Sequence, residues 1–110
     1  MKMLLLIFRQ PLEHDLLQLL EELDVKAFTE VPKVFGMGET GAAGQSFGWP
    51  GYNAMVLAAM GEEQAERVVQ RLKKFHDHLA QQQHMSTLKP STQWGKVPIK
   101  LFAIPCELLI

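Results

Sequence analysis

Residues Lys26 to Phe35 read KAFTEVPKVF, a run of strand formers with Pro32 in its middle. Proline has no N–H to give to a sheet ladder, so a strand carrying it belongs at an edge or contains a bulge. The last stretch, VPIKLFAIPCELLI from Val97 to Ile110, is β-rich in the same way and carries Pro98 and Pro105. It too reads as an edge strand. Two other runs contain no proline. MLLLIF (Met3–Phe8) and YNAMVLAAM (Tyr52–Met60) are short and continuously apolar, the pattern of central strands, and the first is expected to be buried on both faces.

Helical spacing fills the gaps between these strands. Leu12, Leu16, Leu19, Leu20 and Leu23 form a one-sided stripe. Pro11 stands where a first-turn proline is tolerated, and Glu13 and Asp15 put negative charge near the helix start. This helix is expected to end near Asp24. A second helix opens at Glu62-Glu63 after Gly61, with the stripe Ala65, Val68, Val69, Leu72, Phe75 and Leu79. From Gln81 to Gln93 the chain turns polar, and the helix is expected to fray there and pass into a loop.

The order is β-α-β, a long loop, then β-α-β. Prolines in the second and fourth strands, and none in the first and third, match a sheet of order 4-1-3-2. That is the α+β, ferredoxin-like βαββαβ sandwich, an antiparallel four-stranded sheet with two helices on one face. A doubly wound parallel sheet is disfavoured, because no helix joins the second and third strands. Residues 1–110 are expected to form one such domain, with a glycine-rich loop at 36–51.

Bulk properties narrow the function. The 110 residues are 47% apolar and carry eleven basic and twelve acidic side chains, for a net charge of −1, with a mean hydropathy of zero. No basic field of the kind that attracts nucleic acid is present. The opening MKMLLLIFRQP imitates a secretory leader only as far as Phe8, and no stretch is long enough to span a bilayer. The single cysteine, Cys106, excludes an intrachain disulfide and a cysteine-based metal motif, and is expected to be a small buried residue. A cytoplasmic location is the default expectation.

The segment Phe35 to Gly51, FGMGETGAAGQSFGWPG, holds six of the eight glycines. Gly36-Met37-Gly38-Glu39-Thr40-Gly41 spells G-x-G-x-x-G, but the dinucleotide mechanism needs a helix opening at the third glycine, and AAGQSFGWPG cannot start one. No Gly-Lys-Ser/Thr closes a Walker loop either. The glycines do permit close backbone approach and an anion nest. Phe47 and Trp49 are suited to stack on a base or dock into another subunit. The plain alternative is a flexible connection whose aromatics cover a sheet edge.

Catalysis finds little footing. No Ser-His-Asp or Cys-His arrangement exists, and Glu21-Glu22 and Glu62-Glu63 are adjacent helical acids of the solvated kind. The chain is not expected to be an enzyme. His76, His78 and His84 invite a metal, but positions i and i+2 of a helix diverge, so His76 and His78 fit a helix margin better than a shared ion.

The succession KMLLLIFRQPLEHDLLQLLEELDV, KAFTEVPKVFGMGETG and AMVLAAMGEEQAERVVQRL, closing with a strand announced by Gly95-Lys96, resembles the PII signal-transduction family. The resemblance implies a trimer of ferredoxin-like subunits. It implies ATP or ADP, sometimes with 2-oxoglutarate, in clefts between subunits. It also implies a mobile T-loop reporting the bound state to a regulated partner such as a transporter or enzyme. Gly36 and Gly38 match the glycines at the T-loop base, with Gly41 and Trp49 following in the loop, and Gly95 and Lys96 match the end of the second phosphate-contacting loop. The departures are a short, glycine-rich loop without tyrosine, a second loop reduced to Thr92–Lys96, and no counterpart of the family's C-terminal arginines up to Ile110. A second expectation is a ferredoxin-like trimer of the CutA kind, holding a divalent metal through interfacial Glu and His, with His76, His78 and His84 as the candidate histidines. The third is an interaction module with no ligand. The sensor needs Gly36, Gly38 and Lys96 at one cleft, whereas the metal protein needs histidines from neighbouring subunits within coordination reach.

Overall fold

The alternation of side chains along two strands organises the molecule. In β1 (Lys2–Arg9) Leu4, Leu6 and Phe8 are buried, and in β5 (Asn53–Met60) Ala54, Val56, Ala58 and Met60 are buried. The antiparallel register sets Leu4 opposite Ala58, Leu6 opposite Val56 and Phe8 opposite Ala54. A computed structural model describes residues 1–38, 41–43, 52–85 and 97–110 of the chain. It contains β1, a 3-10 turn at Gln10–Leu12, α1 (Glu13–Glu22), β2 (Thr29–Val34), β3 (Gly36–Gly38), β4 (Gly41–Ala43), β5, α2 (Glu62–Met85) and β6 (Ile99–Pro105).

The main sheet has the order β2-β5-β1-β6, and β3 pairs only with β4. Setting that small ribbon aside, the sheet strands in chain order run 2-3-1-4, which is 4-1-3-2 read from the other edge. This is the ferredoxin-like arrangement. Both proline-bearing strands lie at the edges. Pro32 also leaves a bulge: Val31 pairs with Met55 and Val34 with Asn53, so three steps on β2 span two on β5. Pro105 ends β6.

Leu16, Leu19 and Leu20 of α1 and Ala65, Val68 and Leu72 of α2 join Leu4, Leu6, Phe8, Ala54, Val56, Ala58 and Ile99 in one core. All the sheet residues in that set lie on one face, so both helices cover that face. Among the described residues no helix covers the other face. Met3, Leu5 and Ile7 stand opposite Ile104, Phe102 and Lys100 on one side, and opposite Ala59, Leu57 and Met55 on the other. Phe102 and Ile104 remain 49% and 45% exposed. Among the described residues, MLLLIF is therefore covered by helices on one face only, and Met3, Leu5 and Ile7 on the other are half-buried.

Several boundaries differ from the sequence expectation. The first helix starts at Glu13, after a 3-10 turn that contains Pro11. The second runs on through Met85 where fraying was expected. Gln81, Gln82 and Gln83 are good helix formers, and no Gly or Pro interrupts before Pro90. Part of the expected 36–51 loop is strand, since Gly41 opens β4 and not a helix. Cys106 sits just past β6 and is half-buried, not a buried strand residue.

α1 closes in a Schellman motif. Val25 N–H donates to Leu20 O at 2.9 Å and Asp24 N–H to Glu21 O at 3.0 Å. Buried Val25 and Leu20 supply the accompanying apolar contact. The geometry requires a left-handed residue, and Asp24 takes it with φ 62°. Gln64 Nε2 also donates to Asp24 O at 3.2 Å, tying the first turn of α2 to this corner. Aspartate tolerates the left-handed region only partly, whereas glycine meets no Cβ penalty there. The exposed Asp24–Lys26 ion pair at 3.4 Å adds little. Asp24→Gly is expected to raise stability by about 0.5–1 kcal/mol, read as a higher urea midpoint at unchanged m-value. A lower midpoint would show that the Asp24 side chain matters more than its backbone strain.

Candidate functional site

One end of the sheet gathers the segments that flank both glycine-bearing stretches. β1 finishes there with Arg9, whose guanidinium-bearing side chain is buried, the one buried charged residue among those described. Arg9 N–H donates to Pro98 O at 3.2 Å, and Gln10 N–H donates to Tyr52 O at 2.9 Å. The chain leaves this end through Phe35 and Gly36 and returns at Tyr52. A second segment, closing at Gly95-Lys96, returns at Val97 and Pro98. The strand ends thus place the exit and return of the first loop beside the return of the second.

An aromatic–cation cluster marks the same place. Phe35, 70% exposed, meets Tyr52 edge-on with ring centroids 5.1 Å apart and planes at 85°. Lys33 Nζ stands 5.3 Å from the centre of the Tyr52 ring. An exposed phenylalanine beside a cation offers a stacking surface and a positive charge to one ligand. The β2–β5 register accounts for the grouping, because Val34 opposite Asn53 sets the next residues, Phe35 and Tyr52, against each other. Sequence reading missed Lys33, Phe35 and Tyr52. The signal was present, since the expected strand order makes the end of the second strand and the start of the third neighbours.

Gly36 has an open surround. A Cβ there would lie 3.7 Å from the Asn53 side chain, an ordinary contact, so the fold does not require glycine at this position. Gly36, Gly38 and Gly41 belong to the β3–β4 ribbon, where Gly36 pairs with Ala43 and Gly38 with Gly41. Phe47, Trp49, Gly95 and Lys96 lie outside the described residues.

The histidines lie elsewhere. His76 Nδ1 is 3.2 Å from Asp77 Oδ1, and His78 Nε2 is 3.2 Å from Gln82 Nε2, both on exposed parts of α2. His84 is in α2, but its side chain is outside the description. Among the described residues no three His, Cys, Asp or Glu side chains come within reach of one ion. No helix among them is long and apolar enough to cross a membrane.

The sequence profile of Nitrogen regulatory protein P-II matches residues 1–97. This chain belongs to the P-II family. Solved structures agree on the fold of this P-II chain. CPII, a nitrogen regulatory PII-like protein from Thiomonas intermedia, bound to ADP, AMP and bicarbonate, superposes with a TM-score of 0.65 at 19% identity, over 93% of this chain and 81% of that one. A protein from Thermus thermophilus described as PII-like and signalling superposes at 0.57 with 20% identity, over 93% and 82%. Among curated proteins none matches the sequence. Nothing in these comparisons points to the CutA-like reading.

One electrostatic feature of this P-II chain lies at the base of α1. Glu30 of β2 pairs with Val56 and so faces the helix side of the sheet. Hydrogen bonding to the Glu13 carboxyl, burial and the charge of Glu13, in that order, raise its pKa above the ordinary 4.5. Its Oε2 has no exposed surface. The sign follows. A carboxyl whose folded pKa lies above its unfolded one carries no penalty below pH 4.5, and destabilises increasingly as pH rises through the folded value. Glu30→Gln is therefore expected to match the wild type in acid and to exceed it at neutral pH. The difference in urea midpoint between the two proteins, followed from pH 4 to pH 8, checks this; a flat difference sinks it.

Proposed function

We propose that this protein is a P-II-type sensor. It assembles as a trimer, binds a small ligand of the adenine-nucleotide class at clefts between subunits, and signals the bound state through residues 36–51 to a regulated protein. The observation that carries the reading is the meeting of both loop bases at one end of the sheet, through Gln10–Tyr52 and Arg9–Pro98. That meeting brings Tyr52, where the first loop returns, near Pro98, and it supports a site that draws on Gly36, Gly38 and Gly41 of the first loop and on Gly95 and Lys96 of the second. Phe35 and Trp49 are the surfaces for a base, and Lys96, with Lys33, the charges for phosphate. The Thiomonas protein's ADP, AMP and bicarbonate indicate the ligand class to try first.

The assembly follows from the uncovered sheet face. A strand as apolar as MLLLIF, half-covered within its chain, loses its remaining exposure when copies pack face to face. The sheet residues Met3, Leu5, Leu57, Phe102 and Ile104 form the contact. Phe102 is half exposed in the single chain. Phe102→Glu is thus expected to leave the circular dichroism spectrum unchanged and convert a species of three 12.4-kDa copies into single chains. Light scattering after size exclusion reads this, and a trimer that survives the substitution contradicts the assigned face.

Ligand binding is tested by thermal shift with ATP, ADP, AMP and bicarbonate. A nucleotide at a hundred times its Kd stabilises the folded state by about 2.7 kcal/mol. The shift is expected to disappear in Lys96→Ala. It is expected to shrink in Gly36→Ala, whose unliganded melting temperature stays near wild type because the added methyl meets only an ordinary contact. No shift with any of the four, or a shift untouched by both substitutions, removes the nucleotide site from this reading.

A further inference from the structure

β6 is one edge of the sheet, and the chain continues past it as Cys106–Ile110. This segment is joined to the body by Cys106 N–H, which donates to Met1 O at 3.2 Å. Beyond that point Leu108, Leu109 and Ile110 are 75%, 84% and 111% exposed. Three successive large apolar side chains held in water mark an interaction surface and not a resting state.

The opposite edge offers a complement. A groove of about 980 Å³ lies along α1 and the connection to β2, with Leu17, Val25 and Phe28 in its lining. Phe28 is 41% exposed. The rest of its lining is polar, namely Glu13, His14, Gln18, Glu21, Asp24 and Lys26, so the apolar side chains of the segment suit Leu17, Val25 and Phe28 and not the remainder.

Residues 107–110 cannot reach the groove of their own chain. The order β2-β5-β1-β6 puts three strand spacings between the two edges, about 14 Å in the sheet plane, and α1 lies in the layer above. Four residues reach at most about 14 Å when fully extended, which leaves nothing for the climb to α1. A neighbouring copy has no such limit. We propose that Glu107–Ile110 of one copy seats in the α1–β2 groove of the next, Leu108, Leu109 and Ile110 packing on Leu17, Val25 and Phe28. A contact that joins one edge to the opposite edge is head-to-tail, and such contacts generate closed rings when the rotation permits. The segment is then a strap between subunits, added to the face-to-face packing of the sheets. It rests on the trimeric reading above.

The test uses the full chain with benzoylphenylalanine in place of Leu109, mixed with isotope-labelled copies and irradiated. Cross-links are expected between copies, within residues 14–28. In parallel, removal of residues 107–110 is expected to raise the concentration at which the assembly half-dissociates by about tenfold or more. Phe28→Glu is expected to do the same, and the two changes together to do no more than either alone. Cross-links that fall within one copy, or on another surface, overturn the strap, as does an unchanged dissociation midpoint on truncation. A wild-type protein that is itself a single chain overturns the trimeric reading, and the strap with it.

Discussion

β1 is hydrogen-bonded on both sides, to β5 over Lys2–Arg9 and to β6 over Lys2–Phe8. The remaining positions follow from this double pairing. Because it is central, the side chains of β1 must serve two faces, and the same alternation that points Leu4, Leu6 and Phe8 at the helices points Met3, Leu5 and Ile7 away from them. The two helices of the chain lie on one face. Among the described residues, a central strand that is apolar at both parities therefore leaves an apolar surface without a helix over it, which is the face the proposed assembly uses.

The same pairing decides where chemistry can be placed. β1 and β5 are antiparallel, so the end of β1 and the start of β5 fall together, and the bulge at Pro32 brings the end of β2 to the same point. Three strand ends and the approach to β6 converge, each carrying or receiving a loop. Loops gathered at one end of a rigid sheet can present backbone and side chains from distant parts of the sequence to one ligand. The aromatic pair Phe35–Tyr52 is a direct product of that convergence.

Much of this was legible in the residues. The edge positions of the second and fourth strands followed from Pro32, Pro98 and Pro105, because a missing N–H is a local property with a topological consequence. The helical stripes followed from leucine and valine spacing, and their predicted members are buried or half-buried in α1 and α2 or, for Leu12 and Leu23, just beside α1. Less legible was whatever depends on pairing across the chain. The Asp24 turn requires the Schellman hydrogen bonds to be recognised at a residue that is not glycine. The Lys33–Tyr52–Phe35 cluster requires the register of β2 on β5. The raised pKa of Glu30 requires α1 to sit over β2. The helix past Gln81 was missed because polarity was read as loop, although glutamine favours helix when nothing breaks it. Gly36 was a candidate by motif, and the structure sharpens its meaning: with room for a methyl group, glycine is not demanded by the fold.

The β3–β4 ribbon suits the reporting role assigned to residues 36–51 on physical grounds. It is a separate two-stranded sheet that pairs with nothing else among the described residues, and its paired positions are Gly36–Ala43, Met37–Ala42 and Gly38–Gly41. A two-stranded ribbon alone is marginally stable in water. Its six positions are Gly36, Met37, Gly38, Gly41, Ala42 and Ala43, and a glycine-rich ribbon specifies its register weakly. Its energy in any one position is therefore small, and contacts at its base or tip are large by comparison. A ligand that binds at Phe35 and Gly36 with a preference for one ribbon arrangement would shift the population by that preference, and a partner that prefers the same arrangement would bind more tightly by an equal amount. On the proposed reading, the sheet would be the fixed platform for the ligand and the ribbon the element that answers it.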